Sequence, residues 1–97
     1  MVEQSIDKLV EHIPVNTHIL KAVEECAELQ EVLVKYLTKS ELLKPKMDKI
    51  TEEMGDVVFR IMVLARSLGV EDDVQGRMDF KAKVLFDWAV NKFEKQN

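Results

Sequence analysis

Two pairs of acidic residues carry the spacing that could do chemistry. Glu25 and Glu28 lie in EECAEL, and Glu53 and Asp56 lie in EEMGDVVF. Successive helical residues turn by about 100°, so side chains three apart lie about 60° apart on one face. Each pair therefore aims two carboxylates in one direction. Carboxylates gathered beside apolar surface cannot all stay ionised without a counter-charge: either some take up protons, or a cation sits among them. Oxygen donors without His or Cys suit Mg²⁺, Mn²⁺ or Ca²⁺. A di-iron carboxylate bundle uses Glu-x-x-His pairs, and neither His12 nor His18 has a glutamate three residues before it. Glu-x-x-Glu is also common on solvated helices. These two pairs differ in flanking the apolar stripes of neighbouring helices.

Four helical segments must position them. The first runs from roughly Gln4 to His12, with Ile6, Leu9, Val10 and Ile13 at the spacing of one face, and Pro14 and Asn16 break it. The second runs from about Thr17 to Leu37, with a stripe of Ile19, Val23, Cys26, Leu29, Leu33 and Leu37. Pro45 fits the first turn of the third helix, which runs to Leu68 and stops at Gly69. The fourth is expected after Gly76, with Met78, Leu85, Trp88, Ala89 and Lys92 along one side. No segment alternates like a strand. The pattern predicts an all-α, four-helix fold, one domain over residues 1–97, dominated by two long central helices that pack antiparallel. On that packing the two acidic pairs face one another. Glu24, Glu31 and Glu52 fall opposite the stripes and read as solvated.

The composition narrows the function classes. A chain of 97 residues holds one modest core, and 46% hydrophobic residues make disorder untenable. A net charge of -4 argues against a partner made of nucleic-acid polymer. The lone Cys26 excludes an internal disulfide and suits a reducing compartment. The N-terminus lacks the basic-then-apolar pattern of a signal peptide, and VVFRIMVL is too short to span a bilayer, so the cytoplasm is expected and no membrane partner.

Glu-x-x-Glu followed 24 residues later by Glu-x-x-Asp resembles the signature of the MazG-like all-α nucleoside triphosphate pyrophosphohydrolases. That superfamily carries EExxE on one helix and ExxD on the next, commonly within EExGD. EECAEL and EEMGDVVF match both halves, Gly55 included, and NKFEK at 91–95 is similar to the family's NKFERR element. The resemblance spans roughly residues 17–97. It implies Mg²⁺-dependent hydrolysis of a nucleoside or deoxynucleoside triphosphate to the monophosphate and pyrophosphate, with Mn²⁺ as a substitute ion. Glu25, Glu28, Glu53 and Asp56 would hold the metal, and Asn91, Lys92 and Lys95 would face the phosphates. The chain departs from the pattern in ending with Gln96 and Asn97 rather than a further basic residue. A dUTPase or a phosphoribosyl-ATP pyrophosphohydrolase of the same superfamily would use the same four acids.

The remaining candidates have ordinary alternatives. His18 precedes Glu25 by about two turns and could touch a base or ribose, or serve as a surface or capping residue. Lys21 lies one turn from both Glu25 and Glu28, placed for a phosphate or for a helical ion pair. Trp88 could stack on a base or pack in a core, Cys26 reads as a buried hydrophobe, and Met47, Met54 and Met62 read as core filler. Apolar residues cover a wide arc of the third helix, more than two short helices can shelter, so a homodimer or homotetramer is expected. The competing class is a non-enzymatic helical dimer whose acids are surface decoration.

Overall fold

The computed structural model describes residues 1–94. Four α-helices follow in order: α1 (Val2–His12), α2 (Val15–Thr38), α3 (Met47–Leu68) and α4 (Glu71–Ala89). A single π-helical turn, Val90–Glu94, closes the described chain, and these residues contain no strand. The fold is all-α, as the periodicity predicts. Its centre is the antiparallel α2–α3 hairpin, by far the most extensive packing in the chain.

Local chemistry sets the helix boundaries. Pro14 sits at the α2 N-cap with φ -63° and ψ 150°, an extended conformation that separates α1 from α2. Pro45 does not enter α3. Lys46 is the N-cap, and its carbonyl accepts from the amides of Lys49 and Ile50 at 3.1 and 3.3 Å. Gly69 ends α3 in the left-handed region at φ 71°, where a side chain would be strained, and its amide donates to the Ala65 and Arg66 carbonyls. The start of α4 corrects the sequence expectation. It begins at Glu71 and runs through Gly76, because Glu71, Asp72 and Asp73 place three carboxylates against the positive end of the helix dipole. That offsets the roughly 1 kcal/mol a glycine costs inside a helix.

The core of the hairpin lies on a different edge of α2 from the one its apolar periodicity marks. His18, Ala22 and Val32 are buried, and Leu29 and Glu25 are partly so, whereas Ile19, Val23, Cys26 and Leu33 are exposed. From α3, Ile50, Glu53, Val63 and Ala65 are buried. The apolar arc of α2 is wider than one neighbour can cover, and α3 takes the edge bearing the small Ala22. Met47, Met54 and Met62 are likewise exposed rather than core filler, and Trp88 meets Phe93 edge-on at 5.6 Å on the surface. A shallow apolar groove of about 400 Å³ runs along the uncovered face, lined by Ile19, Val23, Cys26 and Leu64 among others.

Helix α1 lies against α3 and buries Ile6 completely. Arg66 fastens it, donating to Asp7 at 2.7 Å and Glu3 at 2.6 Å while also holding Glu71 of α4 at 3.0 Å. One guanidinium thus ties three helices. Helix α4 has no buried residue and touches the hairpin chiefly through α3. None of the described helices is long and apolar enough to cross a membrane.

Candidate functional site

The hairpin brings the two acidic pairs together. Glu25 stands at the middle of α2, on the edge that α3 covers. Glu53 and Asp56 stand on the facing part of α3. Glu25, Glu53 and Asp56 each place one oxygen within 4.8 Å of the others. Glu53 is 4% exposed, Glu25 is half-buried and Asp56 is open to solvent, so the cluster grades from the core outward.

Glu28 joins the cluster through its charge. Repulsion from Glu25 first, then loss of water and repulsion from Glu53, hold its carboxyl above the ordinary 4.5. Two ionised carboxylates have no hydrogen to share. A proton on Glu28 would supply one, bonding it to Glu53 or Glu25 and lowering the local charge. An open cleft of about 290 Å³ beside the cluster is lined by Glu28, Glu53, Val32 and Lys49 among others.

Two buried oxygens lack partners: Glu25 Oε2 and Glu53 Oε2 make no hydrogen bond. An orphaned carboxylate oxygen inside a helix seam is costly, which makes it informative. The donor set is entirely carboxylate, suited to a hard divalent cation. Metal–oxygen distances of about 2.1 Å put two ligands on one Mg²⁺ at most about 4.2 Å apart. The observed spread lies within small side-chain rotations of that. These residues fit a Mg²⁺ or Mn²⁺ ion.

Sequence reasoning missed Lys49. Its Nζ lies 2.9 Å from Glu53 Oε1 and 3.2 Å from Glu52 Oε2, so it supplies a counter-charge inside the acidic cluster. The signal was present in the sequence, since Lys49 and Glu53 stand four apart on one helix.

The other candidates divide. Glu24 and Glu31 are exposed and paired with Lys21 at 3.2 Å and Lys35 at 2.8 Å, solvated as expected. Lys21 is thereby turned to Glu24 rather than toward the acids. His18 is 1% exposed, and its Nε2 donates to the Leu9 carbonyl at 3.1 Å. A carbonyl only accepts, so Nε2 carries the proton. His18 joins α1 to α2 by bonding a carbonyl in the last turn of α1, the capping alternative, and it is buried rather than on the surface. Asn91 and Lys92 lie exposed on the π-helical turn, which packs on α4. Lys92 Nζ sits 5.3 Å from the Trp88 ring centre. Among the described residues, no hydrogen bond or ion pair joins Asn91 or Lys92 to α2 or α3. Lys95 falls outside the described residues. A Cβ at Gly55 would meet nothing within 4 Å, so the chain's own packing does not require glycine there.

The MazG nucleotide pyrophosphohydrolase domain matches residues 14–97, nearly the whole chain and both acidic pairs. The chain belongs to that family. Helix α1 precedes the matched segment, and the Arg66 and His18 contacts fasten it to that segment. A search of curated proteins and of solved structures returned no match.

The crowding at Glu28 has a measurable consequence. Because its carboxyl holds a proton more tightly in the folded chain than in the unfolded one, stability falls as pH rises through that interval above 4.5. Without divalent ions, the wild-type melting temperature should lose ground to Glu28→Gln as pH climbs from about 4.5 toward neutrality. Parallel melting curves for the two proteins would show that Glu28 does not feel its neighbours.

Proposed function

We propose that this MazG-family chain hydrolyses a nucleoside or deoxynucleoside triphosphate to the monophosphate and pyrophosphate, in the cytoplasm, with Mg²⁺ as its metal and Mn²⁺ as a substitute. The observation that carries the reading is the pair of buried, unpartnered oxygens on Glu25 and Glu53 beside Asp56. Glu25, Glu28, Glu53 and Asp56 are the proposed ligands. A divalent ion held by these acids would supply Lewis-acid chemistry, offsetting phosphate charge and making a water more acidic.

The chain's own residues do the rest. The rigid hairpin holds the acids at a fixed separation, so the ordering cost is met on folding rather than at each turnover. Asp56, open to solvent, receives the substrate side, while buried Glu53 anchors the inner side. Asn91 and Lys92, with Lys95, are the proposed phosphate contacts, an ammonium being a usual point-charge partner for phosphate.

In one chain Asn91 and Lys92 lie on the exposed turn that follows α4, and a wide apolar face of α2 and α3 lies open. A homodimer or homotetramer covers that face. Its expected signature is a light-scattering mass of twice or four times the single-chain mass at micromolar concentration. A monodisperse monomer would sink the oligomer.

Catalysis is tested by incubating the protein with Mg²⁺ and a panel of NTPs and dNTPs and following pyrophosphate. Glu53→Gln and Asp56→Asn should abolish its release, whereas Glu24→Gln, on the solvated face, should retain it. Lys92→Ala should lower kcat/KM by about ten- to hundredfold, the value of one charged hydrogen bond of about 1.5–3 kcal/mol. No pyrophosphate from any substrate, or equal activity in all four variants, would contradict the reading.

A further inference from the structure

Glu52 and Glu53 are neighbours in sequence with opposite surroundings. The Glu53 side chain is 5% exposed and that of Glu52 60%, yet both hold the same ammonium, Lys49 Nζ. Two anions share one cation. One oxygen of Glu53 takes Lys49, and the other is the buried atom without a partner. Lys49 therefore compensates one oxygen of Glu53 and leaves the other unpartnered, in a residue that groups with Glu25 and Asp56.

We propose that Lys49 is the metal-free site's own counter-ion, which an arriving divalent cation must outcompete, so that this residue sets how tightly the acids take their metal. The inference rests on reading the acids as a metal site. Its physical basis is that a unit positive charge 2.9 Å from a ligand carboxylate repels a second cation bound to that carboxylate. The same charge stabilises the empty seam, because without it Glu53 would be buried and unpaired. Lys49 can also yield cheaply. Its side chain is 54% exposed, and Glu52 already holds it at 3.2 Å in solvent. When the cation takes Glu53, the ammonium keeps Glu52. The outward member of the Glu52–Glu53 doublet is thus the resting place for a charge displaced from the inward one.

A surface ion pair, a ligand-orienting lysine and a competing counter-ion differ in sign. A surface pair changes neither melting temperature nor metal affinity appreciably. An orienting lysine loses metal affinity when removed, typically about ten- to hundredfold. A competing counter-ion gives a lower metal-free melting temperature together with tighter metal binding.

The test uses the full chain with Mn²⁺ alone, read by calorimetry and by the free-ion electron paramagnetic resonance signal, without nucleotide. Lys49→Met should melt lower in EDTA, bind Mn²⁺ on the order of tenfold more tightly as the charge repulsion is removed, and gain more thermal stability from Mn²⁺ than wild type. Lys49→Arg, which keeps the charge, should stay close to wild type in all three. Lys83→Met, which deletes an exposed lysine from α4, controls for net charge. If the methionine variant does not fold without metal, Lys49→Gln makes the same comparison while keeping a donor for Glu53. Mn²⁺ affinity that is unchanged or weaker without the charge, while wild type binds, overturns the counter-ion role alone. No Mn²⁺ binding by any of the proteins overturns the metal site and this proposal with it.

Discussion

A carboxylate buried between two helices is the constraint around which this chain is arranged. Glu53 occupies a position in the α2–α3 seam where the sequence could place a hydrophobe, as it does nearby at Ile50 and Val63. Taking an anion out of water costs several kcal/mol unless it is paired. Here the pairing is incomplete. Of the three buried side-chain atoms without a partner among the described residues, two are oxygens of Glu25 and Glu53. The surrounding apolar contacts hold these acids together against their repulsion, and Lys49 relieves part of it. A seam built for stability alone would not leave its charge in this state. The proposed cation would supply the missing partner.

The second constraint is surface. In this chain α1 and α4 leave much of the α2–α3 hairpin's apolar surface uncovered. The structure resolves this unevenly: α1 is fastened to α3 through Ile6 and Arg66, whereas α4 contributes no buried residue. Lys92 and the bare apolar face of the hairpin are thus both left exposed on the same molecule. A second copy that covers the face is also a means of bringing an α4 near an acidic cluster. The proposed oligomer would then meet both needs at once.

Much of this was legible in the sequence because helical periodicity is strong where helices are long. The four helices, the Gly69 stop and the convergence of Glu25, Glu53 and Asp56 follow from spacing. The packed edge of α2 did not. Ile19, Val23 and Cys26 form the more hydrophobic stripe, but periodicity marks an apolar face without saying whether α3 packs on it, and here it does not. The burial of His18 was not legible either, since it depends on α1 folding back to offer the Leu9 carbonyl. The start of α4 was missed because Gly76 looked like a boundary, while three acids at Glu71–Asp73 extend the helix before it. Lys49 was visible at i, i+4 from Glu53, but an ion pair at that spacing is usually solvated. Only the burial of Glu53 gives it a different meaning.

The central claim is that Glu25, Glu28, Glu53 and Asp56 form one cation site between α2 and α3. Anomalous diffraction from crystals grown with Mn²⁺ tests it most directly. The account predicts a manganese peak in the hairpin seam, with oxygens of Glu25, Glu53 and Asp56 about 2.0–2.3 Å away. Glu28 is expected either as a direct ligand or through a bound water. A seam without such a peak, with manganese elsewhere on the surface or absent at saturating concentration, would contradict it.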